Sequence, residues 1–246
     1  MRITRTTLAL AASLSLGFAA SAHASVVTFY GADNGIGPGG PFTNSAAAAA
    51  SFDAAASTNN IITFEGATLP NVAPGVSLTN AGDVGTGIQS TNQTPLGFNT
   101  TTSGSNWLKV SPDFNSAGAS WTFTFTTPIS AFGAYFTDTE TDFPGPLSIS
   151  FNDGVLQSLP VTKTADGGGI LFFGFTDLGA SIALVTISTG ATNLFADVFG
   201  IDDVRFTATT PTPTPIPATL PLFATGLGAL GLLGWRRKRK AAALAA

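Results

Sequence analysis

The 246-residue chain contains no cysteine, a single histidine and only 10% charged residues. Without cysteine it can form neither disulfide bonds nor thiolate metal sites, and it has no thiol nucleophile. The one histidine, His23, lies in a segment that we expect to be removed. Its loss excludes Ser-His-Asp hydrolysis and histidine-ligated zinc from the mature protein.

Positive charge is scarce in the middle of the chain. All 14 acidic residues lie between Asp33 and Asp203. Only three cations lie between Asp33 and Arg205, namely Lys109, Lys163 and Arg205, so this part has a net charge of 3 − 14 = −11. Such a surface cannot replace the counterions of a phosphate backbone. The composition therefore predicts no binding to nucleic acid.

Residues 1–24 have the pattern of a secretory signal peptide. A short basic start precedes a 13-residue apolar run from Leu8 to Ala20, and small residues end the segment at Ala24. We predict cleavage between Ala24 and Ser25. The alternative, an N-terminal membrane anchor, would need an apolar run of about 20 residues.

The C-terminal part combines a spacer, an apolar run and a basic end. Residues 208–217 form a Thr/Pro-rich linker, which favours an extended spacer because proline fixes φ and removes backbone donors. The uncharged run from 216 to 235 would rise roughly 30 Å as a helix, about one hydrocarbon core. We predict a transmembrane helix over 218–235 whose basic end stays cytoplasmic. The alternative is a glycine-rich helix that binds a partner.

The tail PIPATLPLFATGLGALGLLGWRRKRK, residues 215–240, closely resembles the PEP-CTERM sorting signal of Gram-negative envelope and secreted proteins. In that family an exosortase, a membrane protease-transpeptidase, is thought to remove the tail. This chain has Ile216 where the family motif has glutamate. The resemblance implies export machinery and an exosortase as partners, transient membrane anchoring and an envelope or extracellular location. The residues that carry it are Pro215, Pro217, Trp235, Arg236 and Arg237.

Residues 58–207 have the pattern of one all-β domain. In Trp121–Thr126 aromatic residues alternate with threonine, a period of two that predicts a strand with one buried face. Further short apolar runs are separated by turn residues, without amphipathic helices between them. This pattern predicts an antiparallel jelly-roll-like β-sandwich. The other predicted strands are Ile129–Phe136, Leu147–Phe151, Ile170–Phe175, Ile182–Ile187 and Phe199–Phe206.

Residues 25–57 precede this domain and allow two interpretations. They favour a strand near Val26–Tyr30 followed by a short helix over Ala46–Ala56, or they form a flexible leader.

The closing strand FGIDDVRF contains two adjacent carboxylates. Strict alternation places Asp202 on the same inward face as Val204 and Phe206, and places Asp203 beside Arg205. An isolated buried carboxylate is costly, and lysines are scarce, so Ca²⁺ is a suitable partner because it binds carboxylate and carbonyl oxygens. The alternative is that the pair accepts backbone N–H bonds at a strand corner.

Two strings, FEG near Glu65 and IDDV in the last strand, resemble the first and last strands of jelly-roll carbohydrate-binding modules with a galactose-binding-like fold. The resemblance implies a structural calcium between those strands, with Glu65 and Asp202 as ligands and Asp203 as a third.

The segment FTDTETDF is a weaker candidate for a metal site. Asp138, Glu140 and Asp142 alternate, so an extended chain would bring three carboxylates to one face. The alternative is a solvated acidic loop.

Trp107 lies among polar residues, where it could stack on a sugar ring with Asn106 as a hydrogen-bonding neighbour; the alternative is a core position. We predict no catalytic residues, because no carboxylate pair of the glycosidase kind is visible. The sequence thus predicts an exported envelope or extracellular-matrix protein whose non-catalytic sandwich binds polysaccharide or self-associates. The alternatives are a small carboxylate-dependent carbohydrate hydrolase and a passive structural module.

Overall fold

The computed structural model describes residues 25–58, 60–102, 104–113, 118–141, 145–190 and 197–209. Within these ranges the chain forms one helix and twelve strands that pair antiparallel, which confirms the predicted all-β sandwich. No helix in the described ranges is long and apolar enough to cross a bilayer. The elements are β1 (Val27–Asn34), α1 (Thr43–Ala56), β2 (Asn60–Ile62), β3 (Asn71–Ala73), β4 (Val76–Ala81), β5 (Gly87–Gln89), β6 (Trp107–Val110), β7 (Ala119–Thr137), β8 (Leu147–Asn152), β9 (Leu156–Val161), β10 (Gly169–Thr176), β11 (Ile182–Thr189) and β12 (Phe199–Ala208).

The 19-residue strand β7 belongs to both layers of the sandwich. Its first part pairs with β4 and β11, and its second part pairs with β10 and β12. The partners change near Pro128, which has no N–H to donate to a ladder. The sequence predicted two strands here, and the structure joins them into one.

Because the two parts of β7 pair with different strands, the structure has two sheets that share β7. The front sheet has the order β3-β4-β7-β11-β8-β9, and the back sheet has the order β1-β10-β7-β12. Beyond β12, the back sheet continues with β6 and β5 along one part of the strand and with β2 along the other.

Aromatic side chains fill the space between the sheets. Phe125 and Phe206 lie with ring centroids 5.1 Å apart, and Phe151 stacks on Phe175 at 4.0 Å. Trp121, the first residue of the predicted aromatic face, is fully buried. Burial of this apolar area, at about 25 cal/mol per Å², is the main stabilising term in a chain without disulfides.

Helix α1 covers the outer face of the back sheet. Phe52 of the helix packs against Phe172 of β10, with ring centroids 5.6 Å apart, and Tyr135 of β7 lies in the same cluster. β10 is buried on both faces, which fits its sequence GILFFGFT, apolar up to its last residue Thr176. Residues 27–56, for which the sequence also allowed a flexible leader, therefore form β1 and α1 of this fold.

Candidate functional site

The outer face of the front sheet carries rows of serine and threonine. The strand pairings align one residue from each of five strands across the sheet, from β4 through β7, β11 and β8 to β9. That central row consists of Thr79, Thr122, Thr186, Ser150 and Ser158. A second row adds Ser120, Ser188 and Ser148, and a third adds Ser77 and Thr124. We call these ten residues the hydroxyl face.

The hydroxyl face arises from the same period-two pattern that makes the core. In WTFTFT, VTIS and LSISF the apolar residues turn inward, so the intervening Ser and Thr turn outward. Phe123 and Val185 in these strings are buried, whereas all ten residues of the hydroxyl face are partly or fully exposed. Threonine suits this position because its branched side chain favours strands.

Strand geometry turns these rows into a grid. Neighbouring strands lie about 4.8 Å apart and alternate residues of one strand lie about 6.8 Å apart. Each hydroxyl offers one donor and two acceptor positions. Thr122 and Thr186 hydrogen-bond to one another through their Oγ1 atoms at 2.9 Å, which holds two hydroxyls of the central row in place.

The hydroxyl face lies on strands without any charged residue. None of β4, β8, β9, β11 or the part of β7 up to Thr126 contains Asp, Glu, Lys or Arg. Leu184 beside the central row is 50% exposed, and Leu156 at the sheet edge is 73% exposed. The surface therefore offers neutral hydrogen-bonding groups and small apolar patches, and no ion-pair partner.

Asp202 is fully buried and holds a loop. Its Oδ2 accepts hydrogen bonds from the backbone N–H groups of Thr100 at 2.7 Å and Thr101 at 3.3 Å, and its Oδ1 accepts one from Asp203 N–H at 2.8 Å. Burial raises the pKa of Asp202 to about 7, although the hydrogen bonds from Thr100 act in the opposite direction. Asp202 therefore accepts backbone N–H bonds, as in the alternative that the sequence analysis gave for the Asp202–Asp203 pair.

A β-bulge in β12 corrects the predicted orientation of Asp202. The pairing with β7 shifts between Asp202 and Arg205, and Asp203 has a φ of 46°. Consequently Ile201 and Val204 lie in the same aromatic core, which strict alternation excludes. The prediction that Asp202 shares the core face with Val204 was wrong, because the bulge directs Asp202 to the loop.

Glu65 and Asp203 hold the same loop at other points. Glu65 Oε1 accepts from the backbone N–H groups of Ser105 at 2.7 Å and Asn106 at 2.5 Å. Asp203 accepts from the Thr101 hydroxyl at 2.7 Å and lies 3.6 Å from the guanidinium of Arg205, as the sequence predicted for that pair.

The three carboxylates contact this loop at separate points. Across the described ranges, no three Asp, Glu or His side chains converge on a point that could hold a metal. The neighbours of Asp202 Oδ2 are the backbone N–H and the hydroxyl group of Thr100.

Asp138 and Glu140 are buried, so they do not form the solvated loop that was the alternative for this segment. Asp138 accepts from the backbone N–H of Gly97 at 3.0 Å, and burial raises its pKa. Asp142, the third predicted member, lies outside the described residues.

Asp197 was missed at the sequence level. It accepts from the backbone N–H of Glu140 at 2.9 Å and lies 3.5 Å from Lys163 Nζ. Burial raises the pKa of Asp197 to about 7, although the positive charge of Lys163 acts to lower it. Nothing in the sequence places these distant residues together.

Trp107 is fully buried, and its Nε1–H donates to the carbonyl of Thr91 at 3.2 Å. A buried ring cannot stack on a sugar, so the stacking role is corrected in favour of the core position. The side-chain amide of Asn106 donates to the carbonyl of Phe64 at 3.3 Å. The hydroxyl face was also missed, although its signal, threonine between aromatic residues in WTFTFT, was visible.

The predicted processing signals fall outside the described residues. Ser25 is the first residue described, and Ala24 precedes it. The sorting-signal residues Pro215, Pro217, Trp235, Arg236 and Arg237 all lie beyond residue 209.

A scan against known protein families and a search of curated proteins found no match. Among solved structures, the K2 cleaved adhesin domain of Lys-gingipain is 17% identical over 60% of this chain and 98% of its own, with a TM-score of 0.40. The Clostridium thermocellum xylanase 10B CBM22-1-GH10 modules, complexed with xylohexaose, are 15% identical over 62% of this chain and 29% of their own, with a TM-score of 0.38. The mannan-recognising module TmCBM27 is 15% identical over 62% of this chain and 98% of its own, with a TM-score of 0.34. These similarities are remote.

Proposed function

We propose that this protein is an exported, non-catalytic module that binds a neutral polysaccharide through the hydroxyl face. The observation that carries the proposal is the alignment of Ser and Thr from five strands on one uncharged surface. Sugar hydroxyls donate and accept hydrogen bonds in the same way as these side chains do. A neutral polymer needs no opposite charge, and this face has none to offer.

The hydroxyl face suits a polymer better than a short sugar. Each hydrogen bond contributes only about 0.5–1.5 kcal/mol net, so a few contacts bind weakly. A polymer can engage several rows at once, and linked contacts raise the overall affinity without any new kind of contact. The Ser and Thr side chains are short, so ordering them sacrifices little conformational entropy.

The test is retention of the full chain on neutral polysaccharides, measured by affinity electrophoresis for wild type and for Thr122→Val combined with Thr186→Val. Valine keeps the branched shape of threonine and removes only the hydroxyl. We expect the double variant to bind about thirtyfold more weakly, since two hydrogen bonds of about 1 kcal/mol are lost. Thr68→Val is the matched control, because Thr68 is exposed and lies off this face.

Equal binding by the double variant and wild type would overturn the role of the hydroxyl face. Failure of the wild type to bind any neutral polysaccharide would overturn the function and favour the passive structural module. We propose binding without turnover, so incubation should release no new reducing ends. Release of reducing ends would favour the carbohydrate hydrolase.

We also propose that the protein is exported and sorted to the envelope or exterior by an exosortase-type protease. Support comes from the signal-peptide pattern and from the resemblance of residues 215–240 to a sorting signal. Mass spectrometry of native extracellular material should find a chain that begins at Ser25 and ends before Leu222. Recovery of Trp235 in that material would overturn the sorting proposal.

Calcium binding by Glu65, Asp202 and Asp203 stays a prediction, as does the jelly-roll-like connectivity. The calcium test compares the Tm of the full chain in calcium and in excess chelator, because a ligand of the native state raises Tm by mass action. A shift that Asp202→Ala abolishes would support calcium. Equal Tm values in calcium and in chelator would overturn the calcium prediction and leave these carboxylates only their hydrogen bonds to the loop.

A further inference from the structure

Strand β1 forms an edge of the back sheet. In the described part of the chain it pairs only with β10. In an antiparallel pair, alternate residues direct both backbone groups away from the partner. The Asn44 side chain donates to the carbonyl of Ala32 at 3.2 Å, so Ala32 is one of the outward residues. Thr28 and Tyr30 share its parity and therefore direct their N–H and C=O groups outward as well.

The other sheet edges in the described ranges are short or blocked. β2, β3 and β5 have three residues each, and β9 contains Pro160, which has no N–H to donate. β1 has eight residues and no proline. Its single charged residue, Asp33, is buried and accepts from the backbone N–H groups of Asn44 and Ser45, both at 2.9 Å. β1 therefore lacks the features by which proteins protect edge strands.

The exposed residues of β1 are uncharged and partly apolar. Val27 is 48% exposed and Tyr30 is 45% exposed. A groove of about 610 Å³ runs beside the strand, lined by Tyr30, Gly31 and Ala32 together with residues of α1. An extended segment from another chain can therefore approach this edge without meeting a like charge.

We propose that β1 pairs antiparallel with β1 of a second copy of this chain, which joins two back sheets into one across a twofold axis. An edge strand is self-complementary in this arrangement, since each outward N–H meets an outward C=O of the identical strand. Asn44 covers the carbonyl of Ala32, so pairing is confined to about Val27–Gly31. The chain would then self-associate through the β1 edge of the back sheet. This contact is independent of polysaccharide binding, which we assign to the front sheet.

The first test measures the mass of the full chain by light scattering over a range of concentrations. We expect wild type to be a dimer and Tyr30→Lys to be a monomer, because a lysine at an edge opposes strand addition. Leu156→Lys on the β9 edge is the matched control and should remain dimeric. A wild type that is monomeric throughout, or a Tyr30→Lys variant as dimeric as wild type, would overturn the proposal.

The absence of cysteine allows a second test by cross-linking. Thr28→Cys and Ser158→Cys each introduce the only thiol of the chain, on the β1 and β9 edges respectively. With a short bis-maleimide we expect a covalent dimer from Thr28→Cys and none from Ser158→Cys. Equal cross-linking would indicate association through another part of the chain and would overturn the proposal. Thr122→Val with Thr186→Val should leave the dimer intact, which separates this result from the polysaccharide test.

Discussion

Buried carboxylates in this protein act mainly as acceptors for backbone donors. Asp202 holds residues 100 and 101 through their N–H groups. The half-buried Asp83 acts similarly, because it accepts from the backbone N–H of Gly85 at 2.7 Å and from Trp121 Nε1–H at 2.7 Å. Turn segments cannot satisfy their own N–H groups as helices and sheets do, so side-chain oxygens substitute. This use accounts for acidic residues in a chain with few cations.

Loss of the Asp202 carboxylate should destabilise the fold. Asp202→Ala leaves the N–H groups of Thr100 and Thr101 without their acceptor, and each of these half-buried donors costs about 1–2 kcal/mol when unsatisfied. We expect the free energy of unfolding in urea to fall by roughly 2–4 kcal/mol. Asp166→Ala, at an exposed carboxylate, is the control and should change it by less than about 0.5 kcal/mol. Equal effects of the two substitutions would contradict the loop-holding role.

Stability should depend on pH because burial raises the pKa of both Asp197 and Asp202 to about 7. Between pH 4 and 7 the folded state then holds more protons than the unfolded state, so stability is greatest near pH 4 and falls as pH rises through 7. The expected loss is on the order of 4 kcal/mol for each group, since one pKa unit corresponds to about 1.4 kcal/mol. Below pH 4 stability falls again. Burial raises the pKa of Asp33, but hydrogen bonds from Ser45 and Asn44 outweigh it, so the pKa lies below its usual value. Protonation of this carboxyl below pH 4 therefore removes stability.

Urea unfolding at a series of pH values measures this dependence. Asp202→Asn cannot ionise, so the decline between pH 4 and 7 should be shallower in this variant than in wild type. A stability that rises from pH 4 to 7 would contradict the raised pKa values.

At the level of elements, the N-terminal helix depends on a close approach to β1. A Cβ on Gly31 would collide with the carbonyl oxygen of Asn44, a backbone atom that cannot rotate away. The helix thus contacts the strand where the strand has no side chain. Asp33, two residues later, accepts from the first backbone N–H groups of α1 and satisfies donors that have no partner within the helix.

Gly31→Ala should therefore be strongly destabilising. We expect a loss of about 1–3 kcal/mol in the free energy of unfolding, since either α1 or β1 must move. Gly37→Ala is the matched control, because a Cβ at Gly37 meets no atom within 4 Å and should leave stability nearly unchanged. Urea denaturation of both variants measures the difference. A neutral Gly31→Ala would show that α1 can shift without loss of packing.

In the whole molecule the two outer faces of the sandwich differ. Helix α1 covers the back sheet, whereas the hydroxyl face of the front sheet remains open. The carboxylates Glu65, Asp138 and Asp202 lie outside the strand segments that carry the hydroxyl face. These three carboxylates are thus separate in the chain from the neutral hydroxyl face.

Binding to a neutral polysaccharide should consequently be insensitive to salt. Screening weakens ion pairs, and the hydroxyl face has no charged group to form one. We expect the apparent Kd to change by less than about twofold between 50 and 500 mM NaCl, since no counterions are released. Affinity electrophoresis or isothermal calorimetry at both salt concentrations measures this. A steep loss of affinity would indicate a charged partner bound elsewhere on the protein.

The sequence by itself determined the class of fold and the inward aromatic face. Trp121, Phe123 and Phe125 alternate with threonine, and in a strand alternation decides which side chains meet the core. Local period and turn chemistry therefore sufficed for most of the longer strands.

Only the tertiary structure decided where the polar residues act. Strand register is a long-range property, so the sequence could not show that Thr79 and Ser158 share one row with Thr122. One bulge at Asp203 reversed the alternation in β12 and moved Asp202 from the core face to a loop. Trp107 was buried by distant segments rather than by its neighbours. Local pattern fixes the faces of each strand, whereas pairing, bulges and covering elements decide what those faces meet.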